Sequence, residues 1–195
     1  MNTKKSNLPL FLKDNPQNSI LILRHAHRKE HTQGSFGHDL ELTEKGRQHS
    51  FCLGQLISNG PLIEIHTSPV LRCVQTAEEI LKGANQKRQI VTSKILGDPG
   101  PFIADCKKAG PLFLERSIEE IAHALVNGRK LSGMRSLEEG ARIFLNHIFQ
   151  FKHFPCVMIS HDIIICLLEC FLLKSKNIKD HMPDFLEGFS MRMET

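Results

Sequence analysis

The chain has 195 residues, of which 41% are hydrophobic and 24% charged, and its formal net charge is +4. This length suits one folded domain over residues 1–195, and the composition excludes a fibrous or intrinsically disordered chain. The positive charge is spread along the sequence, and there is no Trp or Tyr to stack on bases, so nucleic acid is not the expected partner. A mild positive balance better suits a small anionic ligand.

The apolar segments are too short for a membrane span. The longest, CLLECFLL, is interrupted by Glu169, whereas a transmembrane helix needs about 20 mostly apolar residues. The basic N-terminal segment has neither the apolar stretch nor the cleavage site of a secretory signal. Six cysteines without a C-x-x-C pair indicate reduced thiols, and packing explains Cys166 and Cys170 better than a metal does. We therefore expect a cytoplasmic protein with no membrane partner, and its oligomeric state stays open.

The first half of the sequence alternates predicted strands and helices. After a polar leader over residues 1–18, the run ILIL predicts a buried first strand. The segment LTEKGRQHSFCLGQLIS predicts a helix with Thr43 as its N-cap. PLIEIHTSP then predicts a second strand, VLRCVQTAEEILKG a second helix, and RQIVTSKILG a third strand.

The second half begins with a Pro- and Gly-rich segment that predicts a loop or lid over residues 97–116. Helical periodicity returns in SIEEIAHALVNG and in SLEEGARIFLNHIFQF, where Ser136 and Glu139 have capping-box spacing. CVMISHD predicts a fourth strand, IIICLLECFLLK a buried helix, and FLEGFSMRM an edge strand. The alternation predicts an α/β fold, a three-layer α/β/α sandwich with a mostly parallel central sheet.

Polar side chains collect where the predicted strands end. These residues are Arg24, His25, Thr67, Ser68, Arg72, Asp98, His161 and Asp162. The carboxyl ends of parallel strands meet at one edge of a sheet, where such folds bind ligands. Neighbouring cationic groups there would repel one another unless an anion lay among them, and the planar fork of arginine matches phosphate oxygens. The pattern predicts a phosphate site.

Phosphoryl transfer is the chemistry that this set of residues favours. A neutral imidazole nitrogen can attack phosphorus, and His25 is the natural nucleophile. The cations would stabilise the charge that spreads over the phosphate oxygens. A carboxylic acid must then protonate the leaving alkoxide, and both Asp162 and Asp98 are candidates. We expect no cofactor and no metal.

Four segments resemble, in order, the signature of the histidine phosphatase superfamily, also called phosphoglycerate mutase-like. They are LRHAHR, LTEKGRQ, TSPVLRCVQTA and ISHD. The resemblance implies a phosphatase with a phosphohistidine intermediate on His25 and a phosphate pocket formed by Arg24, Arg72 and His161. The substrate would be a small phosphorylated molecule or a phosphoprotein, and the short chain favours a phosphatase over a phosphomutase.

The chain departs from the family pattern at the nucleophile and mixes two branches. Ala26 replaces the glycine that usually follows the nucleophile. Arg28 and Asp162 resemble the acid-phosphatase branch, in which those residues bind phosphate and donate the proton. The segment TSPVLRCVQTA resembles the mutase-like branch, whose acid is a carboxylate after the third strand, near Asp98. The sequence therefore leaves Asp162 and Asp98 as alternative acids.

Two other functions fit part of the sequence. A metallohydrolase site would use the following residues: His25, His27, His31, His38, Asp39 and His161. Arg24 and Arg28 would repel its cation. A catalytically silent phosphate-binding or regulatory module is the second alternative, because Ala26 replaces the family glycine and the acid is not assigned.

Overall fold

A computed structural model of the chain describes residues 3–13, 19–30, 37–151 and 155–192. The strands are β1 (Thr3–Ser6), β2 (Ser19–Arg24), β3 (Glu64–Thr67), β4 (Ile90–Thr92), β5 (Cys156–Ser160) and β6 (Gly188–Arg192). The α-helices are α1 (Leu8–Lys13), α2 (Glu44–Gln55), α3 (Leu71–Gly83), α4 (Cys106–Glu115), α5 (Ile118–Val126), α6 (Leu137–Ile148) and α7 (Asp162–Leu173). Short 3-10 helices lie at Lys94–Leu96 and Ile178–Asp180. The predicted α/β fold is confirmed.

The strands form one six-stranded sheet in the order β1-β6-β2-β5-β3-β4. β2, β5, β3 and β4 are parallel, whereas β6 runs antiparallel to both of its neighbours. In the register, Arg24 pairs with Ser160, and Thr67 pairs with Ile159. The parallel strands therefore end nearly level, so the residues that follow them meet at one edge of the sheet.

Helices cover both faces of the sheet. Successive residues of β2 alternate between two cores: Ile20 and Ile22 pack with α5, α6 and α7, whereas Leu21 and Leu23 pack with α1 and α3. Burying each such side chain contributes roughly 1.5–3 kcal/mol, which is why a strand covered on both faces reads as a continuous apolar run. Among the helices of the described residues, none is long and apolar enough to cross a membrane.

Two predicted helix caps are confirmed. The Thr43 hydroxyl accepts the backbone N–H of Gly46 at 3.1 Å at the start of α2. Ser136 and Glu139 form the reciprocal capping box of α6. These local bonds satisfy N–H groups that have no partner within the helix, so the sequence marks where the helices begin.

The polar leader predicted for residues 1–18 has regular structure where the chain is described. It contains β1 and α1, and the side chains of Leu8 and Phe11 are buried in the core. A six-residue helix is not stable alone, so its sequence carries little helical signal and packing against the sheet stabilises it. The predicted polar leader is therefore structured and partly buried over residues 3–13, and residues 1–2 and 14–18 lie outside the described part.

The loop or lid predicted for residues 97–116 is only partly irregular. The chain is irregular up to Asp105, but Cys106–Glu115 forms α4 despite Pro111 inside it. The Asp105 carboxylate accepts the N–H groups of Lys107 and Lys108 and so caps the helix. The prediction of irregular structure is wrong there because a cap and an apolar face outweigh one proline.

The two ends of the sheet differ from the prediction. The tail strand, expected at an edge, is β6 and lies between β1 and β2, because the N-terminal strand pairs on its outer side. The predicted third strand is shorter, since only Ile90–Thr92 is extended and a 3-10 helix capped by Ser93 follows. Strand position depends on partners distant in sequence, which a local pattern does not show.

Candidate active site

A cavity of about 560 Å³ opens at the carboxyl ends of the parallel strands. β2 delivers His25 to it, β5 delivers His161, and the first turn of α3 delivers Arg72. Six predicted site residues line the cavity: His25, Arg28, Arg72, Asp98, His161 and Asp162. The topology thus brings together residues separated by more than a hundred positions in the chain.

His25 is 3% exposed and is held by both ring nitrogens. Its Nδ1 lies 2.8 Å from the carbonyl oxygen of Ala26, and its Nε2 lies 3.0 Å from Nε of Arg72. A carbonyl only accepts and a guanidinium only donates, so these contacts select the neutral tautomer with a lone pair on Nε2. Burial, His161 and Arg72 also lower the pKa of His25 well below its usual value. His25 therefore presents a nucleophilic nitrogen at neutral pH.

Arg72 links three parts of the site. Besides His25, its guanidinium donates to the carbonyl oxygen of Gly37 at 2.7 Å and to Nδ1 of His161 at 3.3 Å. His161 is also buried, and its Nε2 lies 3.1 Å from the hydroxyl of Ser68. Burial, followed by the positive charge of Arg72, lowers the pKa of His161 to about 3. Both imidazoles are therefore neutral, which leaves the arginines to attract an anion.

Ala26 fits at the position of the family glycine. Its side chain is fully buried, and its N–H donates to the hydroxyl of Thr76 at 3.0 Å. Outside glycine, the described residues with a positive φ are Asn85, Asp98, Lys174 and Leu186. The backbone at Ala26 is therefore not in the region that requires glycine, and the methyl group is accommodated without backbone strain.

Arg24 binds the first of the two candidate acids. Its Nη2 lies 2.7 Å from Oδ2 of Asp162, and its Nη1 donates to the carbonyl oxygen of Pro183 at 2.8 Å. The guanidinium carbon also lies 4.3 Å from the ring centroid of Phe185. Arg24 is not among the described residues that line the cavity. Its buried Nε–H has no hydrogen-bond partner among the residues that the structure describes. Phosphate contact by Arg24 stays a prediction.

The two candidate acids occupy different parts of the cavity. Asp162 begins α7, and its Oδ1 accepts the N–H of Ile163 at 2.8 Å. Asp98 lies in the loop after β4, with a side chain 44% exposed and its Oδ1 3.6 Å from Nδ1 of His38. Its φ of +69° is uncommon outside glycine. The Asp162 side chain is thus held by an arginine and is 23% exposed, whereas the Asp98 side chain is more exposed.

Arg28 also lines the cavity, as the sequence predicts. One of its guanidinium nitrogens donates to the carbonyl oxygen of Lys29 at 2.8 Å, and its backbone forms a bridge with Leu42. The side chain is half-buried, so part of the guanidinium is available to an anion in the cavity. Its role in binding phosphate stays a prediction.

Gly97 and the hydroxyl of Ser68 lie against His161, and the sequence pattern gave neither of them a specific role at that ring. Gly97 has φ +144°, and a Cβ there would lie 2.5 Å from Nε2 of His161 and 2.8 Å from the Ser68 hydroxyl oxygen. A glycine directly before an Asp-Pro turn was the available signal for Gly97. Gly97 provides the space that these two side chains need.

The histidines of the alternative metal site do not form one cluster: the rings of His25 and His161 lie 5.5 Å apart between centroids, but His27 and His38 have other partners. Nδ1 of His27 lies 2.9 Å from the hydroxyl oxygen of Thr43, and His38 lies near Asp98. Between residues 3 and 192, with the gaps given above, no group of three or more His, Cys, Asp and Glu side chains is placed to hold a metal ion. His31 lies outside the described residues.

One family model matches the part of the chain that carries two of the site motifs. Residues 20–97 match the family model described as histidine phosphatase superfamily, branch 1. Over this segment, which is less than half of the chain, the sequence is similar to the histidine phosphatases. That segment carries the His25 and Arg72 motifs, and the recognition made from the sequence is confirmed. A search of curated protein sequences gave no match.

Several solved structures share the fold of this chain over most of its length. A phosphoserine phosphatase mutant from Entamoeba histolytica, in complex with phosphoserine, has a TM-score of 0.60 at 18% identity over 88% of this chain and 89% of its own. A mycobacterial glucosyl-3-phosphoglycerate phosphatase has a TM-score of 0.54 at 16% identity, covering 84% and 82%. Phosphoglycerate mutase from Bacillus anthracis has a TM-score of 0.54 at 20% identity, covering 79% of each chain.

Proposed function

We propose that this chain is a metal-independent phosphatase that hydrolyses a phosphomonoester through a phosphohistidine on His25. The observation that carries the proposal is the state of the His25 ring, whose Nδ1–H is held by the Ala26 carbonyl so that the Nε2 lone pair points to Arg72. A buried, neutral imidazole beside a guanidinium suits attack on a phosphate that the guanidinium binds.

The reaction has two steps. Nε2 of His25 attacks phosphorus, an N–P bond forms, and the bond to the leaving oxygen breaks with its electron pair on that oxygen, which takes a proton from a carboxylic acid. Water then attacks phosphorus, the N–P bond breaks, and the proton of the water passes to the carboxylate. Throughout, Arg72 and Arg28 stabilise the charge on the phosphate oxygens. The Nε–H of Arg72 changes its hydrogen-bond acceptor from Nε2 of His25 to one of these oxygens.

Asp162 is the acid that we propose, because it lines the cavity and because Arg24 and the N–H of Ile163 hold its side chain in one orientation. Asp98 is the alternative, because it also lines the cavity and has a backbone conformation of the kind found at functional sites. A proton donor must reach the leaving oxygen. Asp162 and Asp98 would therefore protonate the leaving group from different sides of the cavity.

The partner that we propose is a small phosphorylated molecule. A cavity of about 560 Å³ is in the range for such a ligand. Two of the structures with this fold are phosphatases, and one of them is in complex with phosphoserine. A bulky phosphoprotein would reach His25 only with an extended phosphorylated segment, because this side chain is 3% exposed.

The test compares His25→Ala with His49→Ala, which changes an exposed histidine on α2. With an aryl phosphate as substrate, His25→Ala should lower kcat/KM by at least about 10³-fold while thermal unfolding stays cooperative. His49→Ala should retain wild-type activity. A phosphoryl group stable in base and labile in acid should be trapped on the wild type and not on His25→Ala.

Full activity in His25→Ala would contradict the assignment of the nucleophile. Vanadate binding by the wild type without turnover of any phosphomonoester would instead identify a catalytically silent phosphate-binding module.

A further inference from the structure

The cavity above His25 is larger than a phosphate group requires. At about 560 Å³ it matches pockets that enclose ligands of drug size, roughly 300–1,000 Å³. Most of its charged and imidazole side chains gather on the side of the strand ends. They are His25, Arg28, His38, Arg72, Asp98, His161 and Asp162. The rest of the volume is therefore available to the leaving group of the ester.

The walls around that volume are apolar. They are formed by side chains from the loop before α4, from α4, α5 and α7, and from the segment before α6. They include Phe102, Ile103, Phe113, Ile118, Met134 and Ile163. Phe102 is 3% exposed and packs on Gly140 so closely that a Cβ on the glycine would collide with its ring. Ile103 and Met134 pair through a backbone bridge, so packing and backbone contacts hold part of the wall in place.

Few polar side chains of the described lining lie away from the strand ends. They are Cys106, Arg116 and Ser117. The hydroxyl of Ser117 accepts the N–H of Glu120 at 3.1 Å as the cap of α5, and Arg116 is exposed to solvent. A leaving group with several hydroxyls would lose hydration without gaining matching buried partners.

We infer that the substrate is a phosphomonoester whose leaving group is an apolar chain or ring of several carbons. The phosphate binds beside His25, and the apolar group lies against the wall formed by α4, α5 and the start of α7. This inference rests on the proposed function, since it names the substrate class of the same site.

A series of primary alkyl phosphates tests the inference, because ethyl, butyl and hexyl phosphate have leaving groups of similar basicity and differ mainly in apolar length. Burying one methylene should raise kcat/KM roughly threefold to fourfold until the wall is covered. Glycerol 3-phosphate should be hydrolysed at least about tenfold less efficiently than propyl phosphate, which has the same carbons without the two hydroxyls. A flat alkyl series, or equal rates for these two esters, would overturn the inference.

Alkylphosphonates separate this inference from the proposed function. They carry the same anion and chain but have no ester bond, so their dissociation constants should tighten with chain length by the same factor per methylene. If every ester is hydrolysed and chain length has no effect in either series, the protein is a phosphatase but the inferred substrate class is wrong. Tighter phosphonate binding with no hydrolysis of any ester supports the apolar site and refutes the enzyme.

Two neighbouring residues of α4 supply matched variants. Phe113 lines the cavity, whereas Leu114 is 42% exposed and does not. Phe113→Ala should lower kcat/KM for hexyl phosphate about tenfold or more and leave ethyl phosphate within about twofold, whereas Leu114→Ala should change neither. If Phe113→Ala fails to fold, Ile118→Thr, which replaces the ethyl group of the side chain by a hydroxyl, should show the same selective loss. An equal loss for both esters, or no loss for either, would contradict the inference.

Discussion

Gly97→Ala is the substitution that most directly tests how the site is built. The backbone at Gly97 has φ +144° and ψ 152°, a region that is essentially restricted to glycine and costs another residue about 1–3 kcal/mol. The added Cβ would also lie 2.5 Å from Nε2 of His161 and 2.8 Å from the hydroxyl oxygen of Ser68. Relieving such overpacking costs about 1–3 kcal/mol more. We therefore expect the free energy of unfolding to fall by about 2–6 kcal/mol.

Gly128→Ala is the matched control for backbone strain. Gly128 follows α5 with φ +73°, and a Cβ there would meet nothing within 4 Å. Its substitution should cost about 1–2 kcal/mol from the left-handed backbone alone and should leave activity unchanged. Urea unfolding of the wild type and both variants measures the loss of stability, which should be about 1–3 kcal/mol greater for Gly97→Ala because of the added overpacking.

Activity provides a second measurement on the same variants. The methyl group of Gly97→Ala would displace the His161 ring, which contacts Arg72, so kcat/KM for an aryl phosphate should fall about 10- to 100-fold. Gly128→Ala should be as active as the wild type. Gly97→Ala would contradict the reasoning if it were as stable as Gly128→Ala and as active as the wild type. Gly97 would then not lie as close to His161 in the active enzyme as the structure shows.

Three further predictions concern titration, the acid and metals. The pKa of His161 is about 3 in the folded state and about 6.5 in the unfolded state, so the unfolded chain binds the proton first as pH falls. The folded state therefore has its full stability above about pH 6.5. Stability is lost toward pH 3 by up to about 1.4 kcal/mol per pH unit. Urea unfolding across this window should give a shallower pH dependence for His161→Gln, and an unchanged slope would contradict the assignment. Asp162→Asn should lower the rate of hydrolysis of an alkyl phosphate about 10²-fold or more beyond its effect on p-nitrophenyl phosphate, which has a good leaving group. Asp98→Asn should lower the rates for both esters equally. The reverse pattern would make Asp98 the acid. A chelator should leave activity unchanged, and loss of activity restored by zinc would favour a metallohydrolase.

Local signals in the sequence were sufficient for most helices and for the buried strands. The run ILIL is apolar at every position because β2 is covered on both faces, and Thr43 and Ser136 mark helix starts through bonds to residues three positions away. The same signals were weak for α1, whose six residues fold only against the sheet, and for α4, where the cap at Asp105 offsets an internal proline.

The sequence by itself determined which side-chain types stand in the ordered motifs: the imidazoles, guanidinium groups and carboxylates that the proposed phosphoryl transfer needs. Only the tertiary structure decided how they meet. The partners that assign the ring nitrogens of His25 and His161 come from the segment after β2, from α3 and from the loop before α3, and Asp162 is held by Arg24 across 138 positions. Hydrogen bonds and packing between distant segments depend on distances in the folded chain, and a local sequence pattern does not contain those distances.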